Sequence, residues 1–193
     1  MNEILKKQTK RTFIPVILVC TLAVVWCFFI VEGRVELIRA IILIIFMNII
    51  ATINYYEDII HDKLNLLLGV TGIVFNIASN IVSVPSMLGG LLIGGGSLYL
   101  IAIIYELSTR REGLGGGVIK YNAALGLWLG IQGIIISITC ALILGIVFGI
   151  IVLPLYKMIR SKDNLLSVPA DGFFSAGAFL TVLYGDSVIS RLF

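Results

Sequence analysis

Charge is scarce in this sequence. Charged residues make up 13% of 193, hydrophobic residues 59%, and the mean hydropathy is +1.09. Too little polar surface remains to cover a water-soluble globule of this size, which points to an integral membrane protein. Histidine is nearly missing: His61 stands alone, so no multi-histidine metal site can be assembled. Cys20, Cys27 and Cys140 all fall inside apolar stretches without CxxC spacing, so neither a zinc site nor a disulfide framework is indicated. The net charge of +3 gives no reason to expect nucleic acid as a partner.

What is present is a series of apolar runs of roughly 20 residues, the length a helix needs to cross about 30 Å of hydrocarbon. Strands of a barrel would be shorter and would alternate in polarity. The pattern predicts an all-α, polytopic membrane helix bundle of about seven spans, near 13–32, 37–56, 64–84, 87–107, 118–132, 134–157 and 172–190. The run from Val118 to Tyr156 is too long for one crossing, and "GIQG" around Gln132 is the place to divide it, which leaves a short fifth helix. Lys6, Lys7, Lys10, Arg11, Lys63, Arg110, Arg111, Lys120, Lys157, Arg160 and Lys162 fall on one side, against Arg34, Arg39 and Arg191 on the other. The basic side, with the N-terminus, is expected to be cytoplasmic. The first run resembles a signal peptide in its charged start. Its apolar body is too long and no small-residue cleavage site follows, so a retained helix is expected.

One membrane-embedded domain over 1–193, without repeats, is expected. Pro85 marks a tight turn between spans, Pro154 should bend the sixth, and the glycines of "GGLLIGGGS" suit close helix packing. The polar islands "INYYEDIIHDKLN" (53–65), "STRREGLGGGVIKYN" (108–122) and "RSKDNLLSVPADG" (160–172) share the cytoplasmic side. In a compact bundle they converge on one site at the inner membrane face.

These segments carry a family resemblance. "REGLGGGVIKYNAALGLWLG" (111–130) resembles the second active-site segment of type IV prepilin peptidases, membrane aspartic proteases of the GxGD class, through Arg111, Glu112, Gly113, Gly115, Gly117, Lys120, Ala123, Ala124, Leu125, Gly126, Trp128, Leu129 and Gly130. "INYYEDIIHDKLNLLLGVTGIVFN" is similar to the family's first segment through Asp62, Leu64, Gly72 and Asn76, and "VPADGFFSAGAFLTVLYG" to the terminal one through Pro169, Phe173, Ala176 and Gly177.

The resemblance also shows where this chain departs. The family's two catalytic aspartates fall on Asn54 and Val118, and an expected proline falls on His61. In an aspartic protease one ionised carboxylate takes a proton from water while its protonated partner polarises the scissile carbonyl. An asparagine amide is no base near neutral pH, and valine has no polar atom. Three accounts stay open: an active parent whose site has been neutralised, with Asn122, one turn beyond Val118, as an alternative second position; a natural non-catalytic relative; or activity carried by other acids, of which Asp58 and Asp171 are the candidates.

By resemblance the partners are prepilins and pseudopilins, whose short basic leader ends in glycine before an apolar helix, together with membrane lipid, and the location is the bacterial inner membrane. Gly113, Gly115, Gly117 and Lys120 are the expected substrate-binding residues, the glycines through a loop with unpaired backbone groups that an extended peptide could join. No CxxC-bearing region or S-adenosylmethionine site is visible, so peptidase activity without methylation is expected, with no metal or organic cofactor. A transporter would need charges along a path through several helix centres, whereas the acids cluster at the cytoplasmic helix ends. A purely assembly-related role would not require the whole glycine, lysine and alanine pattern.

Overall fold

The computed structural model describes residues 33–57, 61–110, 115–152 and 170–192. The expected span 13–32 and Pro154 lie outside them. The described residues form helices and contain no strand: α1 (Arg34–Glu57), α2 (Asp62–Ser79), α3 (Val84–Thr109), α4 (Gly116–Val147) running into a π-helical turn (Phe148–Val152), and α5 (Ala170–Leu192). The second helix ends earlier than its apolar pattern suggests. Asn80 adopts the left-handed conformation (φ 54°) just after Ser79, and Pro85 stands in the first turn of α3, where its missing N–H costs nothing.

α4 is not a straight rod. Gly130 breaks it with φ 72° and ψ −175°, a conformation open to glycine and strained for other residues. A side chain added at Gly94 would touch both the Asn122 carbonyl and the Ile134 side chain, which a continuous helix would hold about 18 Å apart. The chain therefore doubles back at Gly130. The break lies two residues before Gln132, where the sequence suggested a division. Residues 116–129 form a short first half of about 21 Å, and the second half returns beside it.

Glycine sets how closely these helices pack. A Cβ at Gly90 would lie 2.3 Å from the Gly126 carbonyl oxygen, and one at Gly126 would lie 2.1 Å from that of Gly90. α3 and the first half of α4 thus touch backbone to backbone, as small-residue faces allow in membranes. Gly177 of α5 approaches the Ser137 carbonyl in the same way. Around these contacts Leu43, Met47, Ile50, Leu68, Leu98, Leu125, Trp128 and Phe174 make one apolar core. Trp128, fully buried, stacks on Phe75 at 5.8 Å between ring centroids and donates its indole N–H to the Leu68 carbonyl at 2.7 Å.

Outside that core the surface stays apolar. Leu66, Val74, Leu92, Leu100, Ile104 and Leu107 are all more than 60% exposed, which would expose far more hydrocarbon than a water-soluble protein tolerates. Three runs, Arg34–Asn54, Val84–Thr109 and Gly116–Ile150, are long and apolar enough to cross a membrane. The last of these contains the reversal at Gly130.

A reversal inside an apolar bundle leaves backbone groups that need partners. Asn76, fully buried on α2, donates through Nδ2 to the carbonyls of Leu127 (2.9 Å) and Trp128 (3.1 Å). Arg39 of α1 also donates to the Trp128 carbonyl. On the returning half, the Ile131 N–H donates to Ser86 Oγ at 3.1 Å. A cavity of about 550 Å³ lined by Asn80, Ser83, Ser86 and Gln132 opens beside the turn. Asn76→Leu keeps much of the volume and takes the side-chain donor from the Leu127 carbonyl, while the Trp128 carbonyl keeps Arg39. At about 1–3 kcal/mol per buried unsatisfied group, it should destabilise the fold by about 1–3 kcal/mol, measured as thermal unfolding in detergent. A variant that melts with the native protein would show that the reversal does not depend on this amide.

Candidate functional site

The site assembles at the end of the bundle opposite the reversal. α2 runs parallel to the first half of α4, and two side-chain contacts join their first turns. Asp62 accepts from Lys120 Nζ at 2.6 Å, and Asn65 donates through Nδ2 to the Gly117 carbonyl at 3.1 Å. The ion pair is 57% and 67% exposed at its two side chains, so it contributes little to stability. The Asn65 contact is of another kind. Asn65 is only 4% exposed, and its buried Oδ1 has no hydrogen-bond partner among the described residues. Because its one acceptor is a carbonyl, the amide orientation is fixed and the oxygen must face elsewhere.

The first turn of α4 is recessed. Gly90 meets Gly126 and Gly94 meets Asn122, so in this antiparallel register Val118 falls level with Leu98 and Gly115 with Ile101. α3 continues to Thr109, about 12 Å farther along its axis. The residues it carries there include exposed Ile104 and Leu107. The glycine segment therefore begins well short of the end of α3.

Among the described residues nothing comes within 4 Å of where a side chain would stand at Gly115 or Gly116. Gly115 precedes the helix in an extended conformation, with φ −62° and ψ 139°, and its carbonyl accepts from the Val118 N–H at 3.0 Å. This corrects the expectation of a loop with free backbone groups through Gly117. Gly116 and Gly117 already belong to the helix, and the Gly117 carbonyl is taken by Asn65. A helix start leaves its first N–H groups without intrahelical acceptors, and these are what the segment offers.

Asn54 is half-buried near the end of α1 and continues the stripe of Leu43, Met47 and Ile50 that faces the core. Val118 is half-buried and packs against the same core. Asn122 is fully buried; its Nδ2 donates to the Val118 carbonyl at 3.1 Å, and its Oδ1 has no hydrogen-bond partner among the described residues. Tyr121, between them and Lys120, shares a 2.7 Å hydroxyl contact with Ser175 of α5, which brings the third sequence segment to the same place. Asp58 and Gly113 lie outside the described residues. So does the side chain of Asp171, whose backbone is in the first turn of α5. Among the described residues no group of three or more histidine, cysteine or acidic side chains is placed to hold a metal.

Sequence reasoning missed Asn65. Its signal was available only as a polar residue at the start of an apolar helix, one turn beyond His61, and nothing local to it indicates the partner on α4.

Comparison with known proteins decides the family. The profile of the type IV leader peptidase family matches residues 41–150, more than half of the chain, from Ile41 within α1 through α4. The chain belongs to the type IV leader peptidase family. It is 32% identical over 111 residues to the prepilin leader peptidase/N-methyltransferase of Neisseria gonorrhoeae, covering 58% of this chain and 39% of the relative. It is 33% identical over 125 residues to that of Pectobacterium carotovorum subsp. carotovorum, covering 65% and 43%. The protein of the same name from Aeromonas salmonicida (strain A449) is 28% identical over 136 residues, 70% of this chain and 45% of the relative. The chain thus spans less than half the length of these leader peptidase relatives. No solved structure matches it.

Proposed function

We propose that this chain receives the leader junction of type IV prepilins or pseudopilins at the cytoplasmic face of a bacterial inner membrane, as an aspartic endopeptidase whose two acidic positions are occupied by Asn54 and Val118. The observation that carries this reading is the recessed start of α4. Among the described residues nothing fills the space at Gly115 and Gly116, which leaves room for a peptide backbone beside the first N–H groups of a helix, which have no intrahelical acceptors, next to Val118 and inside the segment that matches the family. A substrate whose apolar helix lies in the bilayer and whose basic leader lies outside presents its junction at that depth.

In this reading the whole 1–193 chain makes seven crossings with the N-terminus in the cytoplasm, since the Gly130 reversal supplies two of them. Lys120 and Asp62 fix the mouth of the site, and Gly113, Gly115 and Gly117 border the substrate strand. The chemistry needs no cofactor. A second reading, a non-catalytic relative that binds prepilins for pilus or secretion assembly, is favoured by the packing of Val118 against the core.

The test combines binding and processing. A prepilin peptide containing leader, glycine and apolar segment is added to the purified full chain in lipid nanodiscs, and the product is read by mass. Binding without cleavage is expected for the native sequence, and cleavage after glycine for the double variant Asn54→Asp with Val118→Asp. Cleavage by the native chain would move the chemistry to Asp58 or Asp171, binding without cleavage by every variant would favour the non-catalytic role, and absence of binding would end the prepilin reading.

A further inference from the structure

Between α2 and the first half of α4 runs a groove of about 430 Å³. Asp62, Lys120 and Asn65 form its polar end, and Val70, Ile73, Leu91 and Leu127 line it farther along toward the reversal. At Gly69 the Leu127 and Ala124 side chains of α4 come close to the α2 backbone. The polar end lies at the same recessed turn as the candidate site, because Asn65 holds the carbonyl of Gly117, the residue before Val118.

Asn65 lines this groove, and its buried Oδ1 has no hydrogen-bond partner among the described residues. A buried acceptor without a donor costs about 1–3 kcal/mol, and a site with such an atom discriminates strongly for ligands that supply the missing donor. Every peptide backbone supplies N–H groups. The groove also grades from polar to apolar in the direction from the site into the bundle, the order in which a prepilin presents its junction and then its apolar segment.

We propose, resting on the prepilin reading above, that the groove between α2 and α4 receives the first apolar residues after the cleavage junction, and that Asn65 Oδ1 accepts one backbone N–H of the substrate there. Asn65 is then a two-sided residue. Its Nδ2 holds the first turn of α4, and its Oδ1 fixes how far the substrate enters. The groove wall selects for side chains that can leave water, and Lys120, tied to Asp62, keeps its charge at the mouth.

The test uses the full chain in nanodiscs and prepilin peptides in which one amide at a time across the junction is replaced by an ester, which removes a single N–H. For the native chain, one ester position should weaken binding about tenfold, the size of a lost hydrogen bond at a buried acceptor. On Asn65→Ala the same ester should have no further effect. Additive losses from the ester and from Asn65→Ala would overturn the contact.

A second measurement does not depend on Asn65→Ala folding. Val70, 48% exposed, lines the groove on the lipid side, so Val70→Trp fills it without disturbing the core. Val70→Trp should reduce affinity at least about fivefold, and photo-crosslinkers on the first apolar residues of the peptide should label the stretch around Leu66 and Val70 or that around Leu91. Unchanged affinity with labels elsewhere, or a lipid chain that stays in the groove when peptide is bound, would overturn the groove assignment. A native chain that binds no prepilin peptide would refute the functional reading itself, whereas binding without ester coupling or groove labelling refutes this inference alone.

Discussion

Gly126→Ala is expected to destroy the folded protein, although it adds only one methyl group. The new Cβ would stand 2.1 Å from the Gly90 carbonyl oxygen, 2.3 Å from its carbon and 2.8 Å from the Leu91 nitrogen. All three are backbone atoms, so no rotamer change can relieve the contact. The helices would have to separate, and Gly94 and Gly95, packed on Asn122 and Ala123 one turn away, would be drawn apart with them. Inserting volume into a packed core costs about 1–3 kcal/mol when side chains can move; here about 3 kcal/mol or more is expected. Gly96→Ala is the control. It lies on the same helix as Gly90, but nothing comes within 4 Å of its Cβ position, and alanine is the better helix former. In detergent Gly96→Ala should melt at or above the native temperature, whereas Gly126→Ala should yield little folded protein by size-exclusion profile. Similar behaviour of the two would mean that α3 and α4 do not pack through these glycines.

Much of this arrangement was legible from the sequence because helix length and small-residue clusters are local signals. The glycines of 87–107 were readable as packing residues, and they are, at Gly90, Gly94 and Gly95. Gly96, in the same cluster, faces open space, and composition alone could not separate it from its neighbours. The overlong run from Val118 was divisible by length. The break itself falls at Gly130, the first residue of "GIQG", and what fixes it there is a positive φ and the nearby Ser86 hydroxyl that takes the Ile131 N–H, a partner 45 residues away. The same limit hid Asn65. Its donor contact with Gly117 bridges 52 residues, and a lone polar residue on an apolar helix does not reveal which helix it meets. Asn76 was visible by resemblance, but its task of satisfying Leu127 and Trp128 follows only from the reversal.

The second large effect concerns which position partners Asn54. Arg39 of α1 reaches the Trp128 carbonyl, and only the four residues 58–61 join α1 to α2, whose first turn is tied to α4 through Asp62 and Asn65. α1 therefore descends antiparallel to the first half of α4. Asn54 lies about 22 Å along α1 from Arg39, Val118 about 15 Å along α4 from Trp128, and Asn122 only about 9 Å. Of the two positions, Val118 is therefore the nearer in depth to Asn54. Surroundings agree: Val118 is half-buried in the first turn beside the open space at Gly115 and Gly116, whereas Asn122 is fully buried with its backbone against Gly94. A carboxylate at Val118 can meet water. One at Asn122 would be desolvated and would stay protonated, unable to share a proton with a partner.

Asn54→Asp with Val118→Asp should therefore raise prepilin cleavage on the order of 10²- to 10⁴-fold over either single variant, the range of general acid–base catalysis. The gain should appear only in the double variant, since one carboxyl must take the proton from water while the other donates to the scissile carbonyl. Its pH profile should be bell-shaped, with rate lost on the acid side as the second carboxylate is protonated and on the basic side as the shared proton leaves. Asn54→Asp with Asn122→Asp should remain inactive and melt below the native chain. Cleavage by that pair, and silence from the Val118 pair, would place the second acid one turn deeper than the depth argument allows and would require α1 to shift by a helical turn along α4 when substrate binds.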